Sequence, residues 1–317
     1  MKEIINGLSV FLEGNSKNKS IIFLHGFPYD HTMWKAQIDE LNEKYFCVTY
    51  DIRGLGESPI GDGQFTMESF VDDLESIMKE LKLDNPVLCG LSMGGYISFR
   101  ALEKFEEKFS AVILCDTRSE ADNNEGKLKR AAAIKRINTE GLAPFAKDFI
   151  TNCFGDDYKK NHKDDFEKRI AKSSGFNPVG VKGSLLAMLG RNDTTEYLSK
   201  IKIPALIICG ENDALTPPAI MKPLAEKING AEFVVIKNSG HMSPIENPKE
   251  VNKAIMKFLE KIKKKWVIPN LFRDLIIISK MLKQVQHDSA MIIEPKGRGN
   301  KCSTWKASTQ QYSGSQQ

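Results

Sequence analysis

The chain has 317 residues, 41% hydrophobic and 27% charged, with a formal net charge of +4, the composition of a water-soluble folded chain long enough for one large domain or two small ones. The charge is unevenly placed: residues 264–317 hold nine Lys/Arg against three Asp/Glu, which leaves residues 1–263 at −2. The body therefore gives no basis for nucleic-acid binding. Six cysteines stand at positions 47, 89, 115, 153, 209 and 302, without a C-x-x-C pair or a Cys/His cluster of metal-binding spacing, so neither a zinc site nor a disulfide framework is expected.

In chain order, the opening "MKEIINGLSVFLEGNSKNKS" lacks the long apolar core of a signal peptide, and the expected setting is cytoplasmic. Within it "IINGLSVFLEG" predicts a hairpin. Then come six short apolar, β-branched runs at 20–24, 46–50, 86–89, 111–115, 205–209 and 232–236. Runs that are apolar at nearly every position suit strands covered on both faces, as in a parallel sheet. Helical patterns fill the gaps at 33–42, 67–82, 93–106, 217–229 and 248–263. That alternation predicts an α/β fold with a doubly wound, mostly parallel sheet.

One gap is longer than the others. Between 115 and 205 lie helical patterns over 125–137, 143–154, 159–172 and 181–189, with no strand pattern. A connection of that length carries structure of its own. It is expected to be a helical cap, about residues 118–200, inserted over the C-terminal edge of the sheet, where open α/β sheets bind ligands. Phe145, Phe149, Phe154, Leu185, Leu186 and Met188 are candidates to line an apolar pocket there. Residues 1–263 are expected to form one α/β domain that includes this insertion. From 264 the sequence turns basic and ends in a polar, low-complexity stretch, expected to be a loosely ordered appendage to that domain. Leu271, Leu275, Ile278, Leu282 and Val285 recur in it at helical spacing, too short a pattern to span a bilayer; contact of this tail with a membrane surface is not expected.

The stretch "VLCGLSMGGYISF" places Ser92 between Gly90 and Gly94, at the junction of a strand and a helical pattern. In G-x-S-x-G the serine sits on a tight, strained turn that exposes its hydroxyl, and the glycines give clearance to strand and helix. A nucleophilic serine needs a base, and the base needs a carboxylate to orient it. Asp213, in "GENDALTPP", follows the 205–209 strand; His241, in "NSGHMSPIENP", follows the 232–236 strand. Each has a bland alternative, a helix cap for Asp213 and an exposed loop histidine for His241, but type, order and strand-end position agree for all three. The oxyanion formed on attack needs backbone N–H donors. Met93, after the nucleophile and at a helix N-terminus, supplies one; Phe27, in "FLHGFPYD" after the first long strand, supplies the other.

"HGFP", "DIRGLGES" (51–58), "GLSMGG", "GENDALTPP" and "SGHMSPIENP" together resemble the α/β-hydrolase superfamily, within it the esterase and 3-oxoadipate enol-lactonase-like group, over residues 1 to about 263. The resemblance implies a serine hydrolase acting on small to medium acyl or aryl esters, or on lactones, through an acyl-enzyme, with no metal or organic cofactor. The same triad serves cofactor-free perhydrolases, thioesterases and carbon–carbon bond hydrolases, and some members act as small-molecule receptors with little turnover. Relatives with Asp at the elbow, the haloalkane dehalogenases and epoxide hydrolases, are set aside by Ser92. Asp51, Arg53 and Ser58 are given structural roles. Asp116, directly after the 111–115 strand, is a second candidate for the triad acid, since some relatives take the acid from that strand; Asp213 is preferred.

Overall fold

In a computed structural model, which describes residues 1–263, apolar strands and amphipathic helices alternate along the chain. The strands are β1 (Lys2–Ile5), β2 (Leu8–Glu13), β3 (Ser20–Leu24), β4 (Phe46–Tyr50), β5 (Val87–Leu91), β6 (Ala111–Cys115), β7 (Ala205–Gly210) and β8 (Glu232–Ile236). They form one sheet in the order β1-β2-β4-β3-β5-β6-β7-β8. The hairpin strand β2 pairs antiparallel with β1 and β4, and every other pairing is parallel. Strands β3 to β7 are buried at every position, which is why their sequences run apolar without alternation.

Helices α1 (Lys35–Leu41), α2 (Met67–Glu80) and α3 (Met93–Phe105) belong to the first half of the sheet. Helix α2 starts at a reciprocal cap: Ser69 N donates to Thr66 Oγ1 and Thr66 N donates to Ser69 Oγ. It buries Phe70, Val71, Leu74, Ile77 and Met78 along one stripe. Between β6 and β7 stand α4 (Asn124–Glu140), α5 (Leu142–Cys153), α6 (Asp156–Asn161), α7 (Lys163–Ser174) and α8 (Pro178–Leu189). The pattern expected as one helix over 159–172 is thus two helices, broken at His162, whose backbone leaves the helical region (φ −127, ψ 41). The chain closes with α9 (Pro218–Lys227), α10 (Ser243–Glu246) and α11, residues 248–263. Gln37 of α1 ties these last two together, donating to Pro244 O and Asn252 Oδ1, both at 3.0 Å.

Among the described residues no helix is long and apolar enough to cross a membrane. The basic tail, with its Leu271 to Val285 pattern and Cys302, lies outside the described residues.

Candidate active site

Five strands deliver residues to the same edge of the sheet. Leu24 pairs with Gly90, Leu91 with Cys115 and Gly210 with Ile236, so the segments following β3, β5, β6, β7 and β8 emerge side by side.

Ser92 follows β5 at φ 52 and ψ −111, a left-handed conformation that strains any residue but glycine. Neighbours hold it there: Ser92 N donates to Cys115 O at 3.0 Å, and Thr117 Oγ1 donates to Ser92 O at 2.8 Å. The glycines do what the sequence required of them. A Cβ on Gly94 would lie 2.3 Å from Leu24 O, and one on Gly90 would lie 2.4 Å from Gly94 O. No substituent fits between the strand, the turn and α3.

Asp213 and His241 meet. His241 Nδ1 and Asp213 Oδ2 are hydrogen-bonded at 2.8 Å; with Nδ1–H as the donor, Nε2 is the nitrogen able to accept a proton in the neutral ring. Asp213 Oδ2 also takes the Thr216 hydroxyl at 2.5 Å, while Oδ1 takes Leu215 N at 2.8 Å and Thr216 N at 2.9 Å. Burial pushes the Asp213 carboxyl up, but the adjacent His241 and the Thr216 donors outweigh it and hold it down to about 2. Asp213 does not cap α9, whose N-cap is Pro217 with no side-chain bond; its Oδ1 instead closes a local turn through Leu215 N and Thr216 N, while Oδ2 faces His241. The backbone of His241 is fastened as well, its N–H donating to Cys153 O at 2.8 Å. Ser92 and His241 face one cavity and make no hydrogen bond to each other.

Neither Phe27 nor Met93 donates its amide to another protein atom among the described residues. Met93 is the first residue of α3. The loop carrying Phe27 is set by His25, fully buried, whose Nδ1–H donates to Gly26 O at 2.9 Å while Nε2 accepts Ile52 N–H at 2.9 Å. These two bonds use one nitrogen as donor and one as acceptor, so the ring is neutral; burial lowers its pKa in the same sense. Asp51 accepts from His31 N, His31 Nδ1 and Glu57 N, each at 2.8 Å. Ser58 Oγ donates to Asp51 O, and Arg53 grips Asp73 through Nε and Nη2. Asp51, Arg53 and Ser58 thus brace the loops around the site without lining its cavity.

That cavity has a volume of about 450 Å³, in the usual range for small-molecule sites. The sheet side contributes Ser92, His241, Thr216 and the Phe27 ring; the inserted helices contribute Phe145, Phe149, Leu185 and Met188. The rings of Phe27 and Phe149 meet edge to face at 5.3 Å. Two expected lining residues are elsewhere. Phe154 is buried against Tyr158 and Phe166 within the insertion, and Leu186 points outward, 48% exposed; helical spacing did not separate cavity-facing from packing positions. Sequence reasoning also missed Tyr96 and Arg118 as lining residues. Arg118 follows Thr117, the residue that bonds the Ser92 carbonyl, and its Nη2 donates to Leu215 O at 2.7 Å. The mouth carries paired charges, Asp122 with Arg130 and Arg191, and Glu125 with Lys129.

Asp116, the other candidate acid, does not reach His241. It accepts from Gly210 N at 2.7 Å and from Ser243 Oγ at 2.5 Å. Two clusters bring three metal-ligating atoms within 4.8 Å of one another, Asp30–His31–Asp51 and Asp116–Cys209–Asp213. The carboxylates of both are engaged by N–H, O–H or ammonium donors of the chain itself, as expected of internal hydrogen-bond hubs.

With this geometry established, comparison places the chain among known proteins. The profile of the alpha/beta hydrolase fold family matches residues 19–248. An esterase from Thermogutta terrifontis, solved with malate bound, is 34% identical, with a TM-score of 0.77 over 83% of this chain and 98% of its own. The 3-oxoadipate enol-lactonase 1 of Acinetobacter baylyi is 28% identical over 80% of this chain and 94% of its length. The enol-lactonase of Burkholderia xenovorans is 26% identical, with a TM-score of 0.75 over 82% of this chain and all of its own.

Proposed function

The chain belongs to the α/β-hydrolase fold family, and from that premise we propose that it is a serine hydrolase cleaving carboxylic esters or lactones through an acyl-enzyme on Ser92. The observation that carries this reading is the Asp213–His241 pair, joined at 2.8 Å and opening onto the same cavity as a serine held on a strained turn. Similarity to an esterase and to enol-lactonases supports the same substrate chemistry.

In this mechanism His241 Nε2 takes the proton of Ser92 Oγ as the serine oxygen attacks the carbonyl carbon. Asp213 holds the ring in the required tautomer and stabilises the imidazolium that forms. The tetrahedral oxyanion is met by the N–H groups of Phe27 and Met93, the second reinforced by the positive end of α3. Collapse expels the alkoxide, which receives its proton from His241. In a lactone the leaving oxygen stays tethered to the acyl group. Water, activated by the same histidine, then attacks the acyl-serine and frees Ser92.

A cavity of about 450 Å³ with an aromatic and aliphatic inner wall suits acyl groups of small to medium size. Residues 1–263 carry every group used here, so a chain ending at 263 is proposed to retain the activity. A cytoplasmic setting belongs to the same proposal, in keeping with five buried free thiols, Cys47, Cys89, Cys115, Cys153 and Cys209. The test is hydrolysis of p-nitrophenyl acetate, butyrate and octanoate and of a small lactone by the wild type and by Ser92→Ala. Turnover that survives unchanged in the variant contradicts the mechanism.

A further inference from the structure

The second buried acid beside the triad has a role distinct from the first. We propose that Asp116 is a positioning residue that works as a neutral carboxylic acid, clamping the roots of the two catalytic loops together and leaving Asp213 the single anion at His241.

Three observations lead there. Asp116 has no exposed surface, and its oxygen donors and acceptors are wholly internal: Gly210 N donates to Oδ1 and Ser243 Oγ bonds Oδ2. Gly210 ends β7, three residues before Asp213; Ser243 lies two residues after His241. One side chain at the end of β6 therefore spans the segments that carry the acid and the base, across 94 and 127 residues of sequence. Second, carboxyl oxygens of Asp116 and Asp213 lie within 4.8 Å of each other. Two like charges that close, both out of water, cannot both be carried cheaply, and one carboxyl keeps its proton. Third, the partners decide which. Asp213 has the imidazole and three further donors. Asp116 is faced by Asp213, by Cys115 of its own strand and by Cys209 of β7, none of them a cation. Burial first, then Asp213, pushes the Asp116 carboxyl well above its ordinary range. The Ser243 hydroxyl donates to Oδ2 when that oxygen is bare; with Asp116 protonated the same bond reverses, Oδ2–H donating to Ser243 Oγ, because a hydroxyl serves either way.

The sign of the pH effect follows. A carboxyl whose folded pKa is raised favours folding fully below the unfolded value, about 3.9, and that contribution is lost as pH rises above it. Asparagine, the neutral isostere, has no proton to lose. Asp116→Asn is therefore expected to keep kcat within about threefold of wild type and to melt at a higher temperature at pH 8, by about 3 °C or more. The difference in Tm closes as pH is lowered toward about 4. Asp116→Ala, which removes both bonds, is expected to lower Tm and to lower kcat at least tenfold; rescue by Asn but not Ala separates a neutral clamp from a charged one. An Asp116→Asn variant that is less stable at pH 8 than at pH 4 relative to wild type, or that loses activity as Asp213→Asn does, overturns the proposal. If neither variant folds, infrared spectra of the wild type at pH 8 decide: a protonated carboxyl band supports the clamp and its absence overturns it. Stability and infrared readouts need no substrate, so failure of this proposal and failure of the hydrolase reading are told apart.

Discussion

The wall of the cavity supplied by the sheet and the wall supplied by the inserted helices differ in what holds each residue in place. On the sheet side, position is set by backbone register and by hydrogen bonds with no slack: Ser92 by Cys115 and Thr117, Asp213 by four donors, the Phe27 loop by a buried neutral histidine. On the helix side, Phe145, Phe149, Leu185 and Met188 are held by apolar packing, and the mouth by ion pairs that include exposed ones. Bonded groups tolerate little displacement, while packed apolar groups can be exchanged for others of similar volume. On the mechanism proposed above, the sheet wall would carry the chemistry and the helix wall would shape what is admitted.

If that division holds, substitutions on the sheet wall act on kcat and those on the helix wall act on KM. The largest effect is expected from Ser92→Ala, which should lower kcat for p-nitrophenyl esters by a factor on the order of 10⁶, as when one member of a triad acting as a unit is removed. Asp213→Asn comes next, with a loss of about 10⁴ in kcat and little change in KM, because the ring is no longer held in the tautomer that leaves Nε2 bare. The same carboxyl makes a pH prediction. Its pKa is held down to about 2 in the folded chain, against about 3.9 unfolded. Its contribution, about 2–3 kcal/mol, is therefore present above pH ~4 and is lost as pH falls toward ~2. Melting curves from pH 5 down to pH 2.5 should fall less steeply for Asp213→Asn than for the wild type.

Phe149→Ala tests the other wall. Removing a ring that packs edge to face on Phe27 at 5.3 Å should raise KM for butyrate and octanoate esters about tenfold, with kcat changed by less than a factor of about three. A fall in kcat as large as that of Asp213→Asn would erase the division between the walls. The smallest effect is expected from Lys129→Ala at the mouth. Lys129 is 75% exposed on its side chain and pairs with Glu125, so its loss should change stability by less than about 0.5 kcal/mol and leave kcat/KM for a neutral ester near the wild-type value.

How much of this was legible beforehand follows the same division. Residues set by the backbone could be read: short apolar, β-branched runs mark the strands, although the last, β8, is an edge strand only partly buried rather than covered on both faces, and Gly90 and Gly94 around Ser92 announce clearance that the distances to Gly94 O and Leu24 O explain. The strand-end positions of Asp213 and His241 followed from the same reading. What the pattern left open was contact through space. Asp116 and Asp213 both follow strands, and only the fold shows that one reaches His241 while the other reaches Gly210 and Ser243. Phe149 lies within α5 and turns to Phe27, whereas Phe154 falls just past the helix end, where the backbone becomes extended, and turns to Tyr158. The break at His162 was equally hidden, since the charged run on either side of it keeps helical spacing throughout. Arg118 carried no signal in its own neighbourhood; its place in the cavity comes from Thr117 being drawn to Ser92.

Trapping the intermediate decides whether Ser92 is the nucleophile. The enzyme is mixed with p-nitrophenyl butyrate, quenched in acid within the first turnover, and digested for mass spectrometry. A butyryl group is expected on the peptide containing Ser92 and is expected to be absent from Ser92→Ala. Turnover of the ester with no acyl group on Ser92, or with the acyl group on another residue, would contradict that role.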